Sequence, residues 1–383
     1  MGAYMSAPIT EKHGETGENE YFEYGVSSMQ GWRIDMEDAH LACLDAKTEH
    51  QFSGIYGVFD GHGGREVAQF CSRHLLEVWK GSKGLKEGKM AESLAETFLG
   101  MDDLMRKESS YKELNQLAKR PDRNPLDADG EDGEQMRDAQ AQVKQLLMGF
   151  RQGMNKTGEE GDDDIRFDDD AVDTLAEAVA MGSDAGERNL VGPSAGCTAV
   201  VAVVVKDEII VANAGDSRCV FCRKGKAVAM SRDHKPLDHD EADRIQRAGG
   251  FVTDGRVNGS LNLSRALGDM EYKQNRDLNP RQHAVTAFPE IFSCRLHKDD
   301  EFIILACDGI WDVMTNQEAV DFVRERNGKL PLQKICEEIC DYCLAPDTAG
   351  VGKGCDNMTV MVVNIKPPLR PSKEFSEPRK VHV

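Results

Sequence analysis

No apolar run in the sequence is long enough to cross a membrane. The longest, near Thr198–Val205, has the length of a strand. No secretory signal is recognisable at the start. An excess of positive charge is also missing: 47 Lys and Arg stand against 67 Asp and Glu in 383 residues, a formal net charge of −20. This excludes nucleic-acid binding through a broad basic footprint. It suits cations or basic protein partners, or serves solubility alone. A second CxxC pair is lacking too. Cys219 and Cys222 have that spacing, but a zinc site needs further ligands. Three positions apart on a strand, their side chains should point to opposite faces. The eleven cysteines are irregularly spaced and several sit in apolar runs, as Cys197, Cys307 and Cys355 do. They read as small hydrophobes in a reducing compartment. Cys336, Cys340 and Cys343 share a helical period with Leu332, Ile335 and Ile339, which predicts one buried helix face.

The length allows one large domain or two ordinary ones. Residues 1–20 are polar and read as flexible. Their opening, Met1-Gly2-Ala3-Tyr4-Met5-Ser6, fits an N-myristoylation pattern at Gly2 or a frayed terminus; one acyl chain would attach the protein weakly to a membrane. Strands are predicted at Ser53–Asp60, Cys197–Val205, Glu208–Ala214, Ser217–Cys222, Lys226–Ser231, Glu301–Cys307 and Met358–Ile365, with a hairpin over Phe251–Val257. Helices are predicted at Arg65–Lys80, Ala91–Met105 and Asp240–Ala248, the last with a capping box from Asp238 and Glu241. Two more open at Thr315 and after Pro331. Residues 121–190 break the pattern with 19 acidic and 7 basic residues. This acidic insertion, with weak helical periods near 136–150 and 171–181, is a surface loop or a docking site for basic partners. Residues 366–383 read as a loose tail. Closely spaced strands without βαβ alternation imply an α+β fold: two packed antiparallel sheets forming a central β-sandwich, with helices outside.

Aspartate recurs where apolar strands begin or end. Asp60 closes one, Asp308 another, and Asp356 precedes a third. Each could be a turn residue. Together they could converge at a sheet rim, where carboxylates repel unless a cation holds them, and hard oxygen ligands suit Mg²⁺ or Mn²⁺. Gly61, Gly63 and Gly64 leave the backbone beside Asp60 uncovered. His62 among them could donate a proton to a leaving group. Upstream, Arg33 offers a fork for phosphate oxygens. Glu37 and Asp38 could orient metal-bound waters or join a surface salt-bridge cluster.

The segments GWRIDMEDAH (31–40), GVFDGHGG (57–64), ANAGDSRCV (212–220), DHKP (233–236), RIQRAGG (244–250), RVNGSLNLSRALGD (256–269), ACDGIWDVM (306–314) and GCDNMTV (354–360) resemble, in order, the type-2C or PPM protein phosphatases. The resemblance covers about 24–365 apart from the acidic insertion. Within the family it is nearest to the gamma branch, which also begins MGAY and has CLAPDT before this last segment. It implies the family's β-sandwich, with a flap at about 233–288, and hydrolysis of phosphoserine and phosphothreonine in phosphoprotein substrates. It implies two Mg²⁺ or Mn²⁺ ions: Asp60 bridging, the Gly61 carbonyl on one, Asp308 and Asp356 on the other, Glu37 and Asp38 acting through water. Arg33 would hold the phosphate, His62 would protonate the leaving oxygen, and a metal-bridging hydroxide would attack phosphorus directly. A third ion would use Asp312. Pro193 stands where many members carry an Asp for that ion, and Asp184 could replace it only if its loop folds back. A monomer is expected, cytoplasmic and/or nuclear, with a membrane-associated fraction if Gly2 is acylated. The gamma branch ends in a strongly basic stretch; here only Arg370, Lys373, Arg379 and Lys380 are spread over the tail.

Overall fold

The period of two along each apolar strand decides what its two faces cover. In the strand Ala199–Val205, Val200, Ala202 and Val204 enter one core, while Ala199, Val201 and Val203 enter another. A computed structural model of the chain describes residues 4–47, 53–118, 192–350, 352–369 and 376–383. Its two main sheets have six strands each. The first runs in the order Tyr4–Glu18, Phe22–Arg33, Met358–Ile365, Asp300–Ala306, Arg218–Arg223, Lys226–Ala229. The second runs Arg379–Lys380, Glu290–Arg295, Glu208–Ala214, Ala199–Val205, Ser53–Phe59, Ala39–Cys43. All of these pairings are antiparallel.

The sheets face each other across Phe22, Tyr56, Val200, Val211, Phe221, Ile303 and Met361. The outer face of the second sheet carries the helices Glu66–Gly81 and Met90–Met105. The outer face of the first carries Asn316–Arg326 and Leu332–Cys343. Fully buried side chains of this size contribute roughly 1.5–3 kcal/mol each, so three cores hold four layers together. Cys219 lies between the sheets and Cys222 under the helices, as their spacing requires. Cys336, Cys340 and Cys343 line the buried helix face.

Local signals hold where the chemistry is local. Thr315 accepts a hydrogen bond from the Glu318 N–H and Glu318 accepts one from the Thr315 N–H, the expected capping box. Asp254 and Gly255 both have positive φ, 51° and 73°, and turn the short hairpin Val252–Thr253 to Arg256–Val257.

Three expectations are corrected. Residues 4–18 form an edge strand, paired with Phe22–Arg33 from Tyr4↔Arg33 to Glu18↔Glu23. Backbone pairing makes this strand, not burial, and its polar side chains suit an exposed sheet edge. Asp238 does sit at the N-cap of the helix His239–Arg247, but its side chain makes no cap hydrogen bond; Glu241 turns inward instead. The segment after 366 is not wholly loose: Pro367–Leu369 is a 3₁₀ turn and Arg379–Lys380 joins the second sheet. The acidic segment 121–190, its helical periods, Asp184 and Gly2 lie outside the described residues.

Candidate active site

Antiparallel pairing brings several strand ends to one rim. Asp60 follows Ser53–Phe59, and Asp216 follows Glu208–Ala214. Asp308 follows Asp300–Ala306, Asp356 precedes Met358–Ile365, and Arg33 ends Phe22–Arg33. The register Ala306↔Val360 and Met358↔Met29 puts the last three at the same end of the first sheet.

Carboxylate oxygens of Asp60, Asp216 and Asp308 all lie within 4.8 Å of one another. Asp38, Asp60 and the Cys307 sulfur form a second such group. Burial, then the charge of Asp308, pushes the Asp60 carboxyl far above the carboxylate range; burial, then Asp216, does the same to Asp308. Burial also raises Asp38, to about 7, and Asp356 adds to the shift. Its oxygens sit near Thr359 and the Cys307 thiol without a well-formed hydrogen bond. Acids crowded this way, with oxygens left unsatisfied, fit a hard cation. The buried Cys307 thiol is held up by its surroundings, so it offers no thiolate.

Each remaining expected residue has a definite place. Arg33 Nη2 donates to Asp356 Oδ2 at 2.5 Å, and Asp356 Oδ1 accepts from the Asn357 N–H at 2.7 Å. The Glu37 N–H donates to Asn357 Oδ1 at 2.9 Å. Gly61 packs against Glu37 so closely that a Cβ would meet the Glu37 carbonyl oxygen at 2.3 Å. Asp312 lies one helical turn beyond Asp308, its N–H bonded to the Asp308 carbonyl at 2.8 Å. His62 Nε2 is 2.8 Å from Asp269 Oδ2. Burial would lower the His62 imidazole, but Asp269 outweighs it and holds the ring above its ordinary value. Gly196 makes room for this pair: a Cβ there would meet Asp269 at 2.3 Å and His62 at 2.6 Å.

Two residues escaped the sequence reading. Asp216 is buried and ion-paired with Lys235. Asp269 is buried at φ 50°. Both stand in quoted segments, GDSR and ALGD. The rule that picked out Asp60, an aspartate just past an apolar strand, applies equally to Asp216. Pro193 is tied elsewhere, its carbonyl accepting from Met270.

The chain matches the protein-family model of Protein phosphatase 2C over residues 22–119 and 149–352. The stretch passed over, 120–148, covers the first part of the acidic segment and is shorter than it. A probable protein phosphatase 2C of Oryza sativa subsp. japonica is 42% identical over 375 residues, 98% of this chain and 93% of the relative. Human protein phosphatase 1G is 34% identical over 510 positions, 96% of this chain and 93% of the relative. Two solved structures from Toxoplasma gondii share the fold. One, a phosphatase, has a TM-score of 0.60 at 20% identity and covers 97% of this chain and 99% of its own. The other, a serine-threonine phosphatase 2C, has a TM-score of 0.60 at 17% identity, covering 96% and 100%. The chain belongs to the protein phosphatase 2C family and is a metal-dependent protein serine/threonine phosphatase.

Proposed function

We propose that the rim of carboxylates holds two Mg²⁺ or Mn²⁺ ions, with Asp60 shared between them. The Gly61 carbonyl serves one ion, and Asp308 and Asp356 serve the other. The observation that carries this is the close triad of the half-buried Asp60 and Asp308 with the buried Asp216, whose charges Lys235 alone cannot balance. When bound, such ions supply an activated water and a clamp on phosphate oxygens. Glu37 and Asp38 orient ordered water at their edge. Arg33 lies on Asp356; were Asp356 to serve as a metal ligand, the Arg33 guanidinium fork would be free for the substrate phosphate. His62 keeps Nε2 on Asp269, which leaves Nδ1 to give a proton to the departing seryl or threonyl oxygen. Asp269 is a positioning residue for that ring. Asp216 and Asp312 flank Asp308, which favours a third, weaker ion despite Pro193.

Phosphopeptide turnover should vanish in excess chelator and return with added Mn²⁺ or Mg²⁺. Turnover that persists in chelator contradicts the reading. His62→Gln should slow seryl phosphopeptides by about a hundredfold and aryl phosphates, whose leaving groups need no proton, much less. Equal losses on both would remove His62 from the acid role. Basic partners of residues 121–190, acylation of Gly2 and a cytoplasmic or nuclear setting are proposals carried by the sequence.

A further inference from the structure

The strand Glu290–Arg295 pairs on its inner side with Glu208–Ala214 over six residues, from Glu290↔Asn213 to Arg295↔Glu208. Among the described residues its outer edge is covered by the chain's own segment 376–383. Lys380 faces Phe292 and Arg379 faces Ser293. The Val381 N–H donates to the Ile291 carbonyl at 2.8 Å.

The side chains of this segment alternate in a way that defines what the edge accepts. Lys380 pairs with Glu290, whose carboxyl is only 3% exposed. The other Glu290 oxygen makes no hydrogen bond, and the basic side chains nearest it are Arg232 at 3.6 Å and His234 at 3.9 Å. His234 is wholly buried and its imidazole is driven down by burial, so it brings no charge. Lys380 is therefore the close counter-ion of a buried acid. Val381 and Val383 turn to the opposite face and pack on the cluster that holds Ile291 and Phe288. At one end the Ser376 hydroxyl accepts from the Arg295 N–H at 3.0 Å. At the other, Arg281 donates to Val383 at 2.7 Å.

The hold is slight. The ladder has two residues, and Arg379, Lys380 and His382 are exposed. The match to the family model stops at 352, so this segment lies beyond it. Because the segment belongs to the same chain, it acts at a high effective concentration, which keeps even a short strand in place.

We propose that the outer edge of Glu290–Arg295 is a docking edge for extended segments of other proteins, and that residues 379–383 occupy it as an intramolecular competitor. The segment recognised carries a Lys or Arg for Glu290, then β-branched apolar residues one and three positions later. Main-chain pairing gives the affinity and the alternating side chains give the choice, as in other strand-addition sites. Glu290 lies opposite Asn213, three residues before Asp216. A protein docked there is held at the active-site end of the sheet. The −20 charge of the chain favours the approach of a basic segment.

The test is fluorescence anisotropy on the full chain with a labelled peptide of sequence SEPRKVHV, residues 376–383. The parent should bind weakly because its own segment competes. A Val381→Asp variant, whose segment is released, should bind about tenfold more tightly or better. The same peptide carrying Lys380→Glu should lose about tenfold on that variant. Aryl-phosphate turnover of the variant should match the parent, while its unfolding temperature should fall, because release of the segment takes Lys380 from Glu290. If Val381→Asp impairs folding, Lys380→Glu in the full chain provides the same released edge. Equal binding to parent and released chain, or equal binding of the two peptides, overturns the proposal.

Discussion

Asp60→Asn should lower phosphopeptide turnover by about a thousandfold or more, equivalent to about 4 kcal/mol of transition-state stabilisation. Asp60 is the carboxylate common to both tight groups, with Asp216 and Asp308 on one side and Asp38 on the other. Asparagine keeps the size and loses the charge that a second cation needs. The same change should act on stability with the opposite sign. Without a divalent ion these acids repel one another, and the upward push that Asp308, Asp38 and Asp356 exert on Asp60 is that repulsion. In chelator the variant should therefore unfold at a higher temperature than the parent. With millimolar Mg²⁺ the gap should close or reverse, because the parent gains the stabilisation of bound metal and the variant does not. More than a tenth of parental turnover in the variant would remove Asp60 from its shared role.

Glu241→Ala should cost about 3–5 kcal/mol of stability at neutral pH, a large share of the roughly 5–15 kcal/mol that holds a domain folded. Glu241 is fully buried. It accepts from Arg265 at 2.6 Å, from Arg244 at 2.7 Å and from the Ser264 hydroxyl at 2.7 Å. Arg244 continues to the carbonyls of His283 and Ala284, and Arg265 to that of Phe288. One carboxylate thus gathers three separate stretches of the segment 241–288, and its loss leaves two partly buried guanidinium groups uncompensated. Burial by itself would raise the Glu241 carboxyl, but Arg265 and then Arg244 outweigh it and hold it well below the carboxylate range. A depressed group of this kind contributes stability above its unfolded value, about 4.3. That contribution fades as pH falls toward the folded value. The difference in urea midpoint between parent and variant should therefore be full at pH 7 and shrink below about pH 4. A difference that stays constant down to pH 2, or one under about 1 kcal/mol at pH 7, contradicts this account.

Much of this was legible in the chain, for identifiable reasons. Val200 to Val205, Ile303 to Ala306 and Met358 to Ile365 announce buried strands because both their faces are covered. Asp60, Asp308 and Asp356 could be singled out because each ends or begins such a run. Tyr4–Glu18 could not, because an edge strand owes its existence to a neighbour's backbone and needs no apolar pattern of its own. Glu290–Arg295 was missed as well; its Ile-Phe-Ser-Cys core is short and bounded by charges, and the partner of Glu290, Lys380, lies 90 residues away. Glu241 was assigned to a cap because spacing within one helix is visible in sequence, whereas Arg265 is 24 residues away. Asp269 needed Gly196 to vacate the space between strands, a relation that no local window contains.

The strand Phe22–Arg33 pairs with Met358–Ile365 from Phe22↔Ile365 to Met29↔Met358. A ribosome adding about 5–20 residues per second delivers the second of these strands roughly 20–60 s after the first. During that interval the strand that carries Arg33 has Tyr4–Glu18 on one side but its other neighbour absent. Strands 53–59, 199–205 and 208–214 of the other sheet can associate long before. The rim that carries Arg33 and Asp356 is thus completed last during synthesis, and a nascent chain at this stage exposes a sheet edge that chaperones would have reason to cover.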